Sequence, residues 1–192
     1  MSESPLHFVN VIDLECTCWR ANEPPTAQEV RVQEVIEIGV TVLDVRTRTL
    51  VSTESILVLP TTSEISSFCT ELTTLTTEEV RATGISFRDA LAKLKKAYDG
   101  KNRVFASWGD FDRKHLERQC EREQLAYPFG PRHLNVKNLF ALQHALPREV
   151  GMDAALESLG LPLVGTHHRG GDDSRNIATL LAAMLGPISA TR

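Results

Sequence analysis

Phe8-Val9-Asn10-Val11-Ile12-Asp13-Leu14-Glu15-Cys16-Thr17-Cys18-Trp19 is an apolar run that carries two carboxylates at i and i+2. Residues 7 to 14 have strand character, and because side chains of a strand alternate between faces, Asp13 and Glu15 of this run project from the same side. Two carboxylates that close repel each other and raise each other's pKa unless a cation neutralises them. An all-oxygen donor set favours Mg2+ or Mn2+. The motif is short, and the same pair also suits the solvated end of an edge strand.

Outward from this run, residues about 33 to 44 and about 50 to 58 have strand character, the first rich in β-branched types (Val35, Ile36, Ile38, Val40, Val42). The stretch Ala21 to Val30, with Pro24 and Pro25, reads as a loop. Thr76 is placed to cap one helix. Ser86-Phe87-Arg88-Asp89 opens another, with Ala90, Leu91, Leu94 and Ala97 on one face. A strand at 103 to 106 leads into a helix from about 111 to 124. Strand-like Leu134-Asn135-Val136 precedes helices near 138 to 145 and 151 to 159, the latter turning Met152, Ala155, Leu156 and Leu159 inward. Three strands followed by alternating helices and strands indicate an α/β fold, a mixed sheet flanked by helices. No repeat or internal linker divides the chain, so one domain is expected over residues 1–192, with a core of about 7 to 187.

Two further segments carry acidic groups. Gly165-Thr166-His167-His168-Arg169-Gly170-Gly171-Asp172-Asp173 reads as a glycine-rich loop before a helix whose apolar set is Ile177, Leu180, Leu181, Met184 and Leu185. Asp173 then sits in the first helical turn, while Asp172 suits an N-cap and His168 lies on the loop. In Phe105-Ala106-Ser107-Trp108-Gly109-Asp110-Phe111-Asp112 either aspartate could join the acidic set. Asp112 is preferred, because Phe111, His115 or Leu116 and Cys120 can then pack inward while Asp110 takes the N-cap. Asp13, Glu15, Asp112, Asp173 and His168 form the candidate catalytic set.

With these segments side by side, the chain resembles a DEDDh-type 3′-to-5′ exonuclease of the ribonuclease-H-like superfamily, closest to the eri-type and KapD-type enzymes. The resemblance rests on Val11 through Trp19, Leu59-Pro60 with Ser66 through Thr73, Ser107 through Asp112, and His168 through Ala178, and it covers roughly residues 7 to 187. It implies a ribonuclease-H-like sheet, with Asp13, Glu15, Asp112 and Asp173 as ligands of two divalent ions and His168 as general base. Two such ions stabilise the attacking and leaving oxygens of an in-line displacement at phosphorus. An imidazole with an ordinary pKa near 6.5 can take the water's proton around neutral pH. The product would be a nucleoside 5′-monophosphate. The eri-type resemblance further implies nucleic-acid 3′ ends as partners, RNA favoured over DNA, and places Phe68 at the nucleotide pocket.

A formal net charge of −4 argues against a broad basic surface for duplex nucleic acid. A strand end needs fewer contacts: Trp19, Trp108 and Phe68 could stack bases, and Arg169 could meet a phosphate. The four cysteines, Cys16, Cys18, Cys69 and Cys120, lack zinc spacing and read as reduced thiols of a cytoplasmic protein. No apolar segment is long enough for a membrane span or signal peptide. Two other classes share these residues: an interaction module that has lost catalysis, and a phosphodiesterase acting on small nucleotides.

Overall fold

The structure, a computed structural model, describes residues 5–186. Residues 1–4 and 187–192 of the expected domain, including the last residue of its expected core, lie outside the described residues. After a short 3-10 turn (Pro5–His7), β1 (Phe8–Cys16), β2 (Val35–Asp44) and β3 (Thr49–Leu57) follow, with β2 antiparallel to both β1 and β3. Next come α1 (Ser67–Thr73), α2 (Thr77–Thr83) and α3 (Phe87–Lys96), then β4 (Val104–Ser107), α4 (Phe111–Arg122) and β5 (His133–Asn135). α5 (Val136–Gln143), α6 (Met152–Ser158) and α7 (Gly170–Met184) complete the chain. The sheet order is β3-β2-β1-β4-β5, with β1, β4 and β5 parallel. This is the expected mixed sheet flanked by helices.

Alternation along β1 sorts its side chains between two cores. Ile12, Leu14 and Cys16 join Ile38, Val40 and Val42 of β2 against Phe87, Leu91 and Leu94 of α3 and Leu116 and Cys120 of α4. Val9 and Val11 turn the other way, toward Phe140, Leu156, Ile177, Leu180 and Leu181 of α5, α6 and α7. Asp13 and Glu15 continue the Val9-Val11 parity, so they emerge on the α7 side at the C-terminal end of the strand.

Helix starts follow the capping residues. Ser66, Thr76 and Ser86 accept from the backbone N–H groups three residues on, satisfying donors that a helix start leaves free. The pattern of apolar residues did not foretell α1, which has seven residues and only Cys69 and Thr73 buried. Several expectations need correction, among them the N-cap of α7, which is Arg169 rather than Asp172. Val136 opens α5 rather than extending a strand, because Asn135 caps the helix through the Asn138 N–H. Ala97 is the exposed C-cap of α3, since that helix ends one residue before it. Gly170 and Gly171 are not loop residues but the first two of α7. No helix among the described residues is long and apolar enough to cross a membrane.

Candidate active site

Asp13 and Glu15 leave the sheet where β1 meets the start of α7. Their partners in the antiparallel ladder are Gly39 and Glu37 of β2. A β-carbon on Gly39 would fall 1.7 Å from the Gly170 carbonyl oxygen, so only glycine lets the first turn of α7 rest on the sheet at this point. That close approach brings Asp173, in the same turn, over the two β1 carboxylates. One oxygen from each of Asp13, Glu15 and Asp173 lies within 4.8 Å of the others.

Asp112 reaches the same place from the start of α4. Its Oδ1 accepts the Leu14 backbone N–H at 3.0 Å, which fixes the carboxylate beside Asp13. Asp110 points away: it stands at the N-cap position without making a cap hydrogen bond, and its oxygens lie 3.3 Å from Lys114 Nζ and 3.8 Å from His133 Nδ1. The structure therefore brings Asp112, not Asp110, to the acidic cluster. The two also differ in proton affinity. Burial pushes Asp112 up to about 7, against the pull of the Leu14 N–H. Asp110 is only slightly desolvated, and Lys114 and Arg113 hold it below its usual value.

The remaining acids are shifted like Asp112. Burial, then the Asp173 and Glu37 charges, lifts Glu15 to about 8. Asp13 is raised well above the ordinary range by crowding of protein around it, then by Asp112 and Glu15. Burial lifts Asp173 to about 6, against the His168 backbone N–H that donates to its Oδ2 at 2.8 Å. The other oxygen of Asp173, Oδ1, is buried with no hydrogen-bond partner. Acids this close all resist ionising, and one buried carboxylate oxygen of the cluster has no partner. Both features fit hard divalent cations, which would neutralise the first and complete the second.

His168 adopts φ +65°, a left-handed backbone that costs a non-glycine residue about 1–3 kcal/mol. The Asp173 contact to its N–H holds it there. Its ring stacks on His167 at 4.1 Å between centroids and 9° between planes. Desolvation, then the neighbouring His167, lowers the His168 pKa, which favours the neutral imidazole, the form that accepts a proton. His167 brings its Nε2 to 3.9 Å from Asp173 Oδ2.

These groups line a pocket of about 260 Å³ together with Trp108, Phe111 and Asp153. Phe111 was expected to pack inward and is instead 47% exposed at the pocket edge, stacked on His115. Trp108 lines the pocket too, anchored by its indole N–H to the Val150 carbonyl at 3.2 Å. Trp19 borders a separate, larger cleft of about 600 Å³ with Thr26, Glu29 and Ser66. The Phe68 ring is covered by the Arg20 guanidinium at 4.8 Å, and Trp19 by that of Arg31 at 5.6 Å. Arg169, expected at a phosphate, lies 3.2 Å from Glu37 and 3.5 Å from Glu79. The four cysteines are free.

Sequence reasoning passed over Glu37 and Gly39 and turned Phe111 the wrong way. The first two had a signal: a charge and a glycine inside the strand Val35–Asp44, where burial demands a partner and a missing side chain marks close backbone approach. Phe111 had none, because helical periodicity alone did not say which way the first turn of α4 faces.

Residues 10–181 match the family model described as exonuclease (RNase_T). The human 3′-5′ exoribonuclease 1 is 30% identical over 194 residues, covering 96% of this chain and 54% of the relative, so the chain spans about half of that protein's length. The solved nuclease domain of 3′hExo, described as a DEDDh family member bound to rAMP, superposes with a TM-score of 0.83 at 29% identity, over 94% of this chain and 92% of that one. A 3′-exonuclease solved for its 3′-end-specific recognition of histone mRNA stem-loop gives a TM-score of 0.82 at 29% identity, over 94% and 82%. Likeness to the DEDDh nucleases implies dependence on divalent metal. A converging set of buried acids on a mixed sheet, and a family match running from β1 into α7, make this chain a member of the exonuclease (RNase_T) family.

Proposed function

We propose that the chain is a 3′-to-5′ exoribonuclease that releases nucleoside 5′-monophosphates from single-stranded or overhanging RNA ends, with residues about 7 to 187 forming one exonuclease domain. The observation that carries this reading is the cluster of Asp13, Glu15 and Asp173 oxygens within 4.8 Å, with Asp112 tied to the Leu14 N–H beside them. Asp13, Glu15, Asp112 and Asp173 would hold Mg2+ or Mn2+, two ions per site. Bound there, the ions supply positive charge for the scissile phosphate and its leaving oxygen.

The protein's own groups do the rest. His168, neutral at working pH, takes a proton from the attacking water as the new O–P bond forms. The bond from phosphorus to the 3′ oxygen of the preceding nucleotide breaks as the new one forms, and that oxygen takes a proton from solvent water, leaving a 3′-hydroxyl on the shortened strand. Trp108 and the exposed Phe111 ring offer stacking faces for terminal bases, each worth about 1–3 kcal/mol. Trp19 and Phe68 stand further out, as candidates for contacts with the strand behind its end.

The test is a time course on 5′-labelled single-stranded RNA with Mg2+ or Mn2+ against an EDTA control, beside the matching DNA, a dinucleotide and a nitrophenyl phosphodiester. A ladder shortening from the 3′ end, faster on RNA than on DNA, is expected. Turnover of only the dinucleotide or the ester would favour a small-nucleotide phosphodiesterase, and no metal-dependent turnover would favour a binding module.

A further inference from the structure

The seam between β2 and the start of α7 takes no part in the chemistry above, yet it contains a fully buried carboxylate. Glu37 lies in an otherwise apolar stretch of β2, opposite Glu15. A buried charge persists only where partners replace water. Glu37 Oε2 accepts the Gly170 backbone N–H at 2.9 Å and Arg169 Nε at 3.2 Å. The Arg169 guanidinium also approaches Glu79 Oε1 on α2 at 3.5 Å and Thr74 Oγ1, the C-cap of α1, at 3.4 Å. The next two positions on this face of β2 extend the seam: Gly39 touches Gly170, and Thr41 Oγ1 lies 3.0 Å from Ser174 Oγ. Three successive inward positions of one strand thus meet the first turns of the helix that carries Asp173.

We propose that Glu37 is a positioning residue: through Arg169 and Gly170 it fixes the first turn of α7, and with it the His168 imidazole and the Asp173 carboxylate. The same guanidinium ties that turn to the α1–α2 segment that carries Phe68, so the outer aromatic and the proton acceptor share one anchor. This inference rests on the exonuclease reading. The segment needs such an anchor, because His168 is held in a left-handed backbone conformation by a single carboxylate contact and precedes Arg169 directly. A planar guanidinium can serve several acceptors at once, which an ammonium on a flexible stem does less well.

The test compares Arg169→Ala, Arg169→Lys, Glu37→Gln and the Glu37→Gln/Arg169→Ala double variant in the full chain with Mg2+. It reads kcat and KM on short single-stranded RNA and amide hydrogen exchange over residues 165–176. Expected for Arg169→Ala is a kcat lower by about tenfold to a hundredfold with KM within about twofold, since small misplacements of reacting groups cost on that order. Arg169→Lys should fall between, the double variant should be no slower than the slower single variant, and exchange should rise at residues 168–173. Should Glu37→Gln not fold, the Arg169 pair alone decides. A raised KM with kcat kept would make Arg169 a phosphate contact and overturn the proposal; so would wild-type kcat or unchanged exchange in the folded variants. A wild-type chain that releases no nucleotide from RNA would sink the exonuclease reading instead, leaving the exchange comparison to decide on the anchor.

Discussion

Asp110 and Asp112 stand two residues apart at the start of one helix, and they have opposite fates. Asp112 is buried beside Asp13 on the Leu14 N–H, with its proton held up to about 7; Asp110 is half exposed, paired with Lys114 and His133, with its proton affinity lowered. The difference is one of solvation and neighbours, not of residue type. The sheet shows the same division on a larger scale. The face under α3 and α4 carries Ile12, Leu14 and Cys16 of β1 and one polar side chain, Asn10, which donates to the Tyr98 carbonyl, whereas the face under α7 begins with Val9 and Val11 and ends in Asp13 and Glu15.

The largest expected effect separates the two aspartates. Asp112→Asn should lower kcat on RNA by on the order of 10³-fold, the scale for removing a group that stabilises reacting charge. Asp110→Asn should stay within about twofold of wild type, as surface ion pairs contribute about 0–1 kcal/mol. Equal losses in the two variants, measured at saturating metal, would break the comparison.

His168→Ala should cost about 10²-fold in kcat while metal-induced stabilisation persists, because proton transfer alone is removed. Unchanged turnover would take the general-base role away from His168.

On the apolar face, Leu94→Ala should destabilise the fold by about 3 kcal/mol in chemical denaturation, from lost burial and the cavity left behind. The folded fraction should keep wild-type kcat. A drop in kcat would show that the two faces are not independent.

The last effect concerns pH. Glu15, Asp112 and Asp173 have folded-state pKa values raised to about 8, about 7 and about 6. A raised carboxyl stabilises the fold while protonated, and that stability is lost as pH rises through the folded value. Divalent cations compete with the same protons, so the rise in Tm on adding Mn2+ should grow between pH 6 and pH 8, by about 1 kcal/mol in stability per pH unit for each group titrating. A metal-induced shift that is flat or shrinks over this range would mean that these acids are not where the cation binds.

Much of this was legible in the chain. Strand alternation put Asp13 and Glu15 on one face, the apolar set Ile177, Leu180, Leu181 and Met184 oriented α7, and Thr76 and Ser86 marked helix starts where the structure has them. These follow from local rules of period and capping, which a sequence carries in full. α1 stayed hidden because seven residues with two buried side chains carry no periodic signal. Ala97 and Val136 were misassigned because element ends depend on caps and packing as well as pattern.

The residue order alone determined the strand parity that pairs Asp13 with Glu15, the helix that carries Asp173 and the types of group available for metal and proton. Only the packed structure decided between Asp110 and Asp112, turned Phe111 outward and gave Arg169 to Glu37. The reason is range. Periodicity and capping act over one or two turns, whereas those three outcomes depend on contacts between segments far apart in the chain, such as Asp112 with Leu14 and Arg169 with Glu37, and on the burial those contacts create.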